Sequence, residues 1–388
     1  MEVCKSVGFT PVRKLNSKEV LRKVLPLTGI LGISRITETN SYVDLGVSIV
    51  SATRTDIRFE QVSSTQGKGF KLGHAITGAV VESLERYCAA NISGLLLSSG
   101  IDKLDPEGNP LDLAFGYGDK FYPSKWIRAV DLRRGQETWM PALEVLFPYN
   151  SSDFEPPRVR PHTSGLAAGA DLTEASLFAM LEVYERNVTS LFYRRVRAKN
   201  NGSVIDTTTV TDDKASILLR DLCSRGYELI VFRLHAIFPT YYAAVLDVFS
   251  LAPKFMIAGT STALSDSDAL SGALLECVQG LVTSVAGSRE DLVRSSVKYK
   301  NQILSKNNIF YEIKELLIKQ NGISSFPQYE SKLINCDLAW LKTFSVLEKI
   351  VTGPILMCDL THRDLPLNVV KVVVPSLNDW MVNPRRGR

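Results

Sequence analysis

The stretch ESLERYCA at 82–89 is echoed a hundred residues later by EVYERNVT at 182–189. Each carries Glu-x-x-Glu-Arg, and each closes a segment whose apolar residues recur at helical spacing. On a helix, Glu82, Glu85 and Arg86 lie at i, i+3 and i+4 and share one face, as do Glu182, Glu185 and Arg186. On a solvated face such a triplet is an i,i+4 ion pair worth roughly 0.3 kcal/mol. The flanks argue against a solvated face. AITGAVV precedes the first triplet and ASLFAML the second, so both helices are covered over much of their circumference. Glu174 adds a third carboxylate, eight residues before Glu182 on the same helix. A third apolar segment, ALSGALLECVQGLVTSV, sets Glu276 and Gln279 at i, i+3. Carboxylates clustered near a core repel one another and take up protons unless cations neutralise them. Hard oxygen ligands in pairs suit Mg²⁺, which binds through one or two carboxylates plus substrate phosphates.

A glycine-containing stretch precedes each acidic helix. GKGFKLG (67–73) leads into the first, TSGLAAGADLT (163–173) into the second, and Gly259-Thr260-Ser261-Thr262 with an acidic turn SDSD into the third. VSSTQGKGF (62–70) reads as a polar turn. Backbone N–H groups at the helix start, with Lys68, then make an anion site, and TSGLAAG repeats the device. Neither stretch is a Walker A motif, and GKGFKLG departs from G-x-G-x-x-G. Helical periodicity covers Leu72 to about Ile92, Glu174 to about Arg197, and 213–225, where Arg225-Gly226 is a stop. YELIVFRLH, YYAAVLDVF and LNVVKVVVPSL read as strands, as do parts of TNSYVDLGVSIVSATR. Residues 102–161 read as loops with short strands such as TWMPALEVLF, and 293–330 as polar helix. Helices and strands alternate without a low-complexity linker, which predicts one intertwined α+β domain.

Composition narrows the partners. A net charge of +4 over 388 residues, with no basic run before the terminal PRRGR, predicts no nucleic-acid partner. No apolar run reaches roughly 18 residues, and MEVCKSVGFTPVRKL lacks a signal-peptide core, so no membrane partner and a cytoplasmic chain are expected. The six cysteines lack a C-x-x-C pair and read as reduced, mostly packing thiols. The four histidines are far apart and form no Ser-His-Asp or H-E-x-x-H pattern, so they read as ordinary side chains; substrate contact by His162, just before the second glycine stretch, is the minority reading.

The ordered blocks carry a resemblance. Q-G-K-G, then A-x-x-x-G-A-x-x-E-x-x-E-R, then S-G-L-A-A-G-x-x-x-x-E-A-x-x-x-A-x-x-E-x-x-E-R, then E-x-x-Q, spanning roughly 33–292, resemble the YcaO family; the closing VVVPSL is similar too. The resemblance implies an α+β fold of YcaO type, with mixed or antiparallel sheets, long helices, and ATP held between the acidic helices. It implies a short N-terminal segment, 1–32, and one intertwined domain over 33–388. Family members activate a backbone amide: its oxygen is phosphorylated, a nucleophile adds to the carbon, and phosphate leaves. The products are azolines, thioamides or amidines. Carried over residue by residue, the resemblance puts Glu82, Glu85, Glu174, Glu182 and Glu185 on Mg²⁺. It puts Lys68, Ser164, Glu82, Glu182, Arg186, Glu276 and Gln279 on ATP, and gives Lys68, Arg186 and Arg289 catalytic roles.

Arg289 lies in AGSRED, which looks like the A-G-x-R-x-D run of members that work with a TfuA partner. That subgroup often has an arginine where Leu281 stands, and many members have Asp where Asn187 stands. The tail NPRRGR lacks the P-x-P-x-P pattern of many azoline-forming members. The implied partners are a precursor peptide and a TfuA-like or leader-binding protein, with the chain as a homodimer or one subunit of a synthetase. Two other readings stand beside this one: a non-catalytic scaffold that binds peptide or partner, and a modifier of a full-length protein.

Overall fold

The computed structural model describes residues 12–39, 45–55, 63–92, 96–98, 125–149, 161–195, 201–246, 256–286, 303–327 and 335–379. In chain order the elements are α1 (Ser17–Val24), β1 (Ile33–Glu38), β2 (Ser48–Arg54), β3 (Ser64–Gly69), α2 (Leu72–Ala90), β4 (Leu96–Ser98), β5 (Lys125–Asp131) and β6 (Gln136–Pro141). A 3₁₀ turn (Ala142–Glu144), β7 (Leu166–Gly169), α3 (Leu172–Arg194), β8 (Gly202–Asp206), α4 (Asp213–Ser224), β9 (Glu228–Leu234), β10 (Thr240–Leu246) and β11 (Met256–Thr262) follow. The chain closes with α5 (Asp266–Ala286), α6 (Ile303–Asn321), β12 (Ile323–Ser325), α7 (Cys336–Ile350), β13 (Leu356–Asp359) and β14 (Asn368–Val373). This is the expected α+β composition.

The chain divides into two compact units. One comprises 1–24, 84–190 and 333–388; the other comprises 25–83 and 191–332. The first unit is built on a sheet in the order β4-β5-β13-β14-β7, with β6 on β5. Its strands pair antiparallel, and β14 meets β7 with Lys371 opposite Leu166. The second unit holds the sheet β1-β2-β3 and the sheet β11-β10-β9-β8-β12, in which β12 lies parallel to β8. Its core joins Ile49 of the small sheet, with Val47 just before β2, to Val231, Tyr241, Ala243 and Val245 of the large one, and to the apolar face of α5.

Local chemistry explains several boundaries. Asp212 caps α4 by accepting from Ala215 N at 2.8 Å, and Gly226 at φ 82° ends it, as expected from Arg225-Gly226. Other boundaries differ from the sequence reading. GKG is the end of strand β3, not a turn, and LAAG is strand β7. Residues 259–262 close β11, and the SDSD aspartates Asp266 and Asp268 already lie in the first turn of α5. The physical reason is the glycines. A Cβ on Gly67 would lie 1.8 Å from Ala75 O and 2.5 Å from Ala79 N, and one on Gly259 2.4 Å from Ala273 O. These strands lie so close to the helix that follows them that only glycine fits, which strips them of the β-branched residues that mark a strand.

Helix α5 corrects a second expectation. It is long and apolar enough to cross a membrane by length and composition, yet Ala269, Leu270, Ala273, Leu274, Cys277, Val278 and Leu281 are buried in the core of its unit. The polar helix expected over 293–330 is α6, Ile303–Asn321; residues 293–302 lie outside the described residues. The described cysteines are all free thiols, and all but Cys223 are buried.

Candidate functional site

Three strand–helix pairs share one device. In β3–α2, Gln66 N donates to Glu82 Oε2 at 2.8 Å. Just before β7, Gly165 N donates to Glu182 Oε2 of α3 at 3.1 Å. In β11–α5, Thr260 N donates to Glu276 Oε2 at 3.4 Å. The donor lies 16, 17 and 16 residues before its glutamate. A main-chain N–H on one carboxylate oxygen fixes the side chain's direction, which is how protein groups around a metal ion orient its ligands. Glu85 is aimed in the same way, by Ala168 N at 2.7 Å on Oε1.

In the second unit, Lys68 Nζ stands 3.7 Å from Glu276 Oε2, both side chains about one-third exposed. Gln66 and Lys68 project from the same face of β3. Thr283 Oγ1 lies 3.0 Å from Gln66 Oε1 and 2.6 Å from the Gln279 carbonyl. Thus Lys68, Glu82, Glu276 and Gln279 belong to one unit, on β3 and the helices α2 and α5. Leu281 is 1 % exposed in the apolar core, so the position where an arginine was expected does not face solvent in this chain.

In the first unit, Arg186 Nη2 donates to Glu182 Oε1 at 3.3 Å. Glu182 therefore meets an amide on one oxygen and a guanidinium on the other. Ser164, Arg186, His162, Val183, Asn378 and Asp379 line a cavity of about 30 Å³, room for about one water. Asn187 is buried, and its Oδ1 accepts from Asn378 N and Nδ2, both at 3.0 Å. The amide thus pins the segment after β14 with no charge to compensate. Glu185 lies one turn from Arg186's partner on α3, half-buried.

Glu174 stands apart. It is 3 % exposed and accepts from Arg13 Nη1 at 2.9 Å, Lys14 N at 3.2 Å and Ala170 N at 3.3 Å. The Arg13 guanidinium also sits 3.4 Å from the centre of the Phe178 ring, and Lys14 Nζ reaches Asp171 and Asp337 at 2.6 and 3.1 Å. The two carboxylates push the Lys14 ammonium well above its usual range, against a smaller opposing effect of burial. Arg289 lies outside the described residues.

Sequence reasoning missed a buried group in the first unit. Lys371 is 0 % exposed, and its Nζ donates to the His162 carbonyl at 2.7 Å. His162 Nε2 lies 3.4 Å from Glu144 Oε2. Burial pulls the Lys371 ammonium down to about 8, against the opposing charges of Glu182, Glu144 and Asp379. Burial, then the Lys371 charge, lowers His162 as well. The available signal was a single lysine inside the apolar run LNVVKVVV.

Among the described residues no three His, Cys, Asp or Glu side chains converge as a metal cage. The donor set still fits Mg²⁺, which takes one or two carboxylates and completes its shell with phosphate and water. Glu82 in the second unit and Glu85 and Glu182 in the first are carboxylates of that kind, each aimed by a main-chain amide.

Strand–helix pairs that present oriented carboxylates beside cations define a nucleotide- and metal-binding class of α+β protein. The family model described as YcaO cyclodehydratase, ATP- and Mg²⁺-binding, matches residues 66–378, and the chain belongs to that family. ATP and Mg²⁺, expected from the resemblance, are the ligands in the family's description. An uncharacterised protein of Methanothermobacter thermautotrophicus is 29 % identical over 378 residues, covering 95 % of each chain. An uncharacterised protein of Rhizobium leguminosarum bv. trifolii, described as lying in the tfuA 3′ region, is 22 % identical and is covered over 88 % of its length by 94 % of this chain. The solved YcaO of Methanopyrus kandleri, bound with AMPPCP and Mg²⁺, superposes with a TM-score of 0.75 at 20 % identity, over 99 % of this chain and 96 % of that one. The E. coli microcin synthetase McbBCD complex with pro-MccB17 contains a chain with a TM-score of 0.63 at 17 % identity, over 88 % of both. These structures bear out the YcaO-type fold.

Proposed function

We propose that this chain activates a backbone amide of a ribosomally made precursor peptide at the expense of ATP. The observation that carries the reading is the thrice-repeated tether, an amide in or just before a strand aiming a glutamate on the helix that follows. Glu82, Glu85, Glu182 and Glu185 hold Mg²⁺; Glu174, to which the resemblance gives the same role, is already paired with Arg13 and two main-chain amides. Lys68, Ser164, Arg186, Glu276 and Gln279 contact the nucleotide, and Arg289 acts with Lys68 and Arg186 on the reacting phosphate. Bound ATP supplies the phosphoryl group that turns the amide oxygen into a leaving group. Cations from the chain stabilise the charge that develops there.

The AGSRED run and the relative in the tfuA 3′ region support a TfuA-like partner, and hence exchange of the amide oxygen for sulfur to give a thioamide. Azoline formation, with a leader-binding partner, is the runner-up. The solved microcin synthetase complex with its pro-peptide supports a peptide substrate and a multi-subunit assembly. The reaction belongs in the cytoplasm, where ATP is supplied. Mass spectrometry of candidate peptides incubated with the chain, its genomic neighbours and ATP tests the proposal. Oxygen-for-sulfur exchange that needs a sulfide source supports thioamidation, and loss of one water supports an azoline. Unmodified peptide throughout, with no phosphate release, rejects the enzyme reading.

A further inference from the structure

We infer that Lys371 is a positioning residue, whose buried ammonium holds the His162 carbonyl and thereby sets the Gly165 amide against Glu182. The inference rests on the reading of Glu182 as part of the nucleotide site.

The segment 162–165 is held from several sides. Lys371 Nζ takes the His162 carbonyl at 2.7 Å, and Glu144 takes the His162 ring at 3.4 Å. Leu166 N closes the turn on Thr163 O at 2.9 Å, and Val372 N donates to Gly165 O at 2.8 Å. Gly165 has φ +77°, and a Cβ there would lie 2.1 Å from Val372 O and 2.8 Å from Val183 Cγ2. The backbone therefore has one available path. These anchors leave Gly165 N 3.1 Å from Glu182 Oε2.

A cross-link between strands does not require a lysine. The β7–β14 ladder already joins them through four residue pairs, Asn368 to Lys371 against Gly169 to Leu166. An apolar residue in VVKVVV would pack without the cost of burying an ammonium. The ammonium is spent on a main-chain carbonyl three residues before the amide that aims Glu182. Its charge is balanced by Glu144, Glu182 and Asp379, with His162 the other titratable group against it. One of the acids that favours the cation is thus the acid that the cation helps to aim.

The test uses the full chain with Lys371→Met, Lys371→Gln (which keeps an N–H donor) and Glu182→Gln. Hydrogen exchange at the Gly165 amide is measured first, with the Ala168 amide, held by Glu85, as internal reference. Lys371→Met is expected to lose Gly165 protection by about tenfold or more, with Ala168 unchanged and partial recovery in Lys371→Gln. Affinity for Mg²⁺ with AMPPCP is then measured in wild type, each single variant and the Lys371→Met/Glu182→Gln double. An effect passed through Glu182 gives a loss of about tenfold for Lys371→Met in the wild-type background and little further loss in Glu182→Gln. Unchanged Gly165 protection in both Lys371 variants overturns the inference, as do strictly additive affinity losses. If wild type binds no nucleotide, the reading of the site fails, while exchange at Gly165 still decides what Lys371 does.

Discussion

The two compact units handle charge differently. Among the described residues every buried charged side chain but Arg54 belongs to the first unit: Asp131, Glu144, Glu174, Lys371 and Asp379. The second unit closes on an apolar core and leaves its candidate ion pair, Lys68 with Glu276, about one-third exposed. Buried charges are costly to place and rigid once paired, whereas exposed pairs hold weakly and are screened by salt. The comparison teaches that both units aim acids with main-chain amides, while the first also holds most of the buried charges and the second leaves Lys68 exposed enough to change partners.

The sharpest way to break this comparison is to remove one aimed acid from each unit. Glu182→Gln and Glu82→Gln each keep side-chain volume and lose a negative ligand. Each is expected to cut ATP turnover by about a thousandfold or more, about 4 kcal/mol, while circular dichroism stays native. Undiminished phosphate release from both variants returns these residues to ordinary helix-face ion pairs.

The next largest effect sits on the buried lysine and shows as pH dependence. Lys371 titrates near 8 when folded against 10.5 as its ordinary value. Between those values the unfolded chain binds more protons, so stability from this residue rises with pH. Below about 8 both states are protonated and the penalty for burying the charge is present in full. The gain across the window is about 3 kcal/mol. The thiols of Cys88, Cys277 and Cys358, pushed by burial from 9 up to about 12, act in the opposite direction above about 9 and so overlap the upper part of that window. The informative quantity is therefore the stability difference between wild type and Lys371→Met. It should move in favour of wild type from pH 8 to 10.5, and a flat difference would remove Lys371 from the list of buried cations.

The strap at Arg13 sharpens the contrast within the first unit. Arg13→Ala leaves Glu174 with two main-chain donors and no cation, and strips a guanidinium from Phe178. Because the Arg13 side chain is 44 % exposed, the cost is about 2 kcal/mol rather than the full value of a buried pair. The loss should shrink in a Glu174→Gln background. Chemical denaturation of the four proteins of that cycle measures it, and equal losses in both backgrounds would mean that Arg13 acts through packing on Phe178 alone.

What was legible in the sequence follows from range. The helices could be read because apolar spacing is a local signal: α2 was expected from Leu72 and begins there, and α4 stops at Gly226. Strands β3 and β7 were hidden because the glycines that let them touch their helices are also turn residues. Clustering of the acids could be inferred from i, i+3 spacing, but their aiming could not, since donor and acceptor lie on different elements. Arg13 and Glu174 are 161 residues apart, and nothing periodic links them. Leu281 shows the converse error: an arginine was expected from the resemblance, whereas the helix phase, with Leu274, Cys277 and Val278 all buried, already placed that position on the core face.

The smallest effect tests the second unit's half of the comparison. Lys68 is on β3, not at a helix start, so whatever it gives a phosphate comes from its own charge and not from a helix dipole. Its present partner, Glu276, is 3.7 Å away and itself tethered to Thr260 N at 3.4 Å, so the ammonium can leave without stranding a buried acid. Lys68→Ala should therefore leave stability almost unchanged while weakening Mg²⁺–ATP binding or slowing turnover about tenfold, about 1.4 kcal/mol. Raising ionic strength should erode the wild-type advantage, because an exposed charge is screened. A variant with wild-type affinity and turnover would make Lys68 a surface partner of Glu276 and nothing more. A variant that lost several kcal/mol of stability would show that the second unit, like the first, depends on its ions to fold.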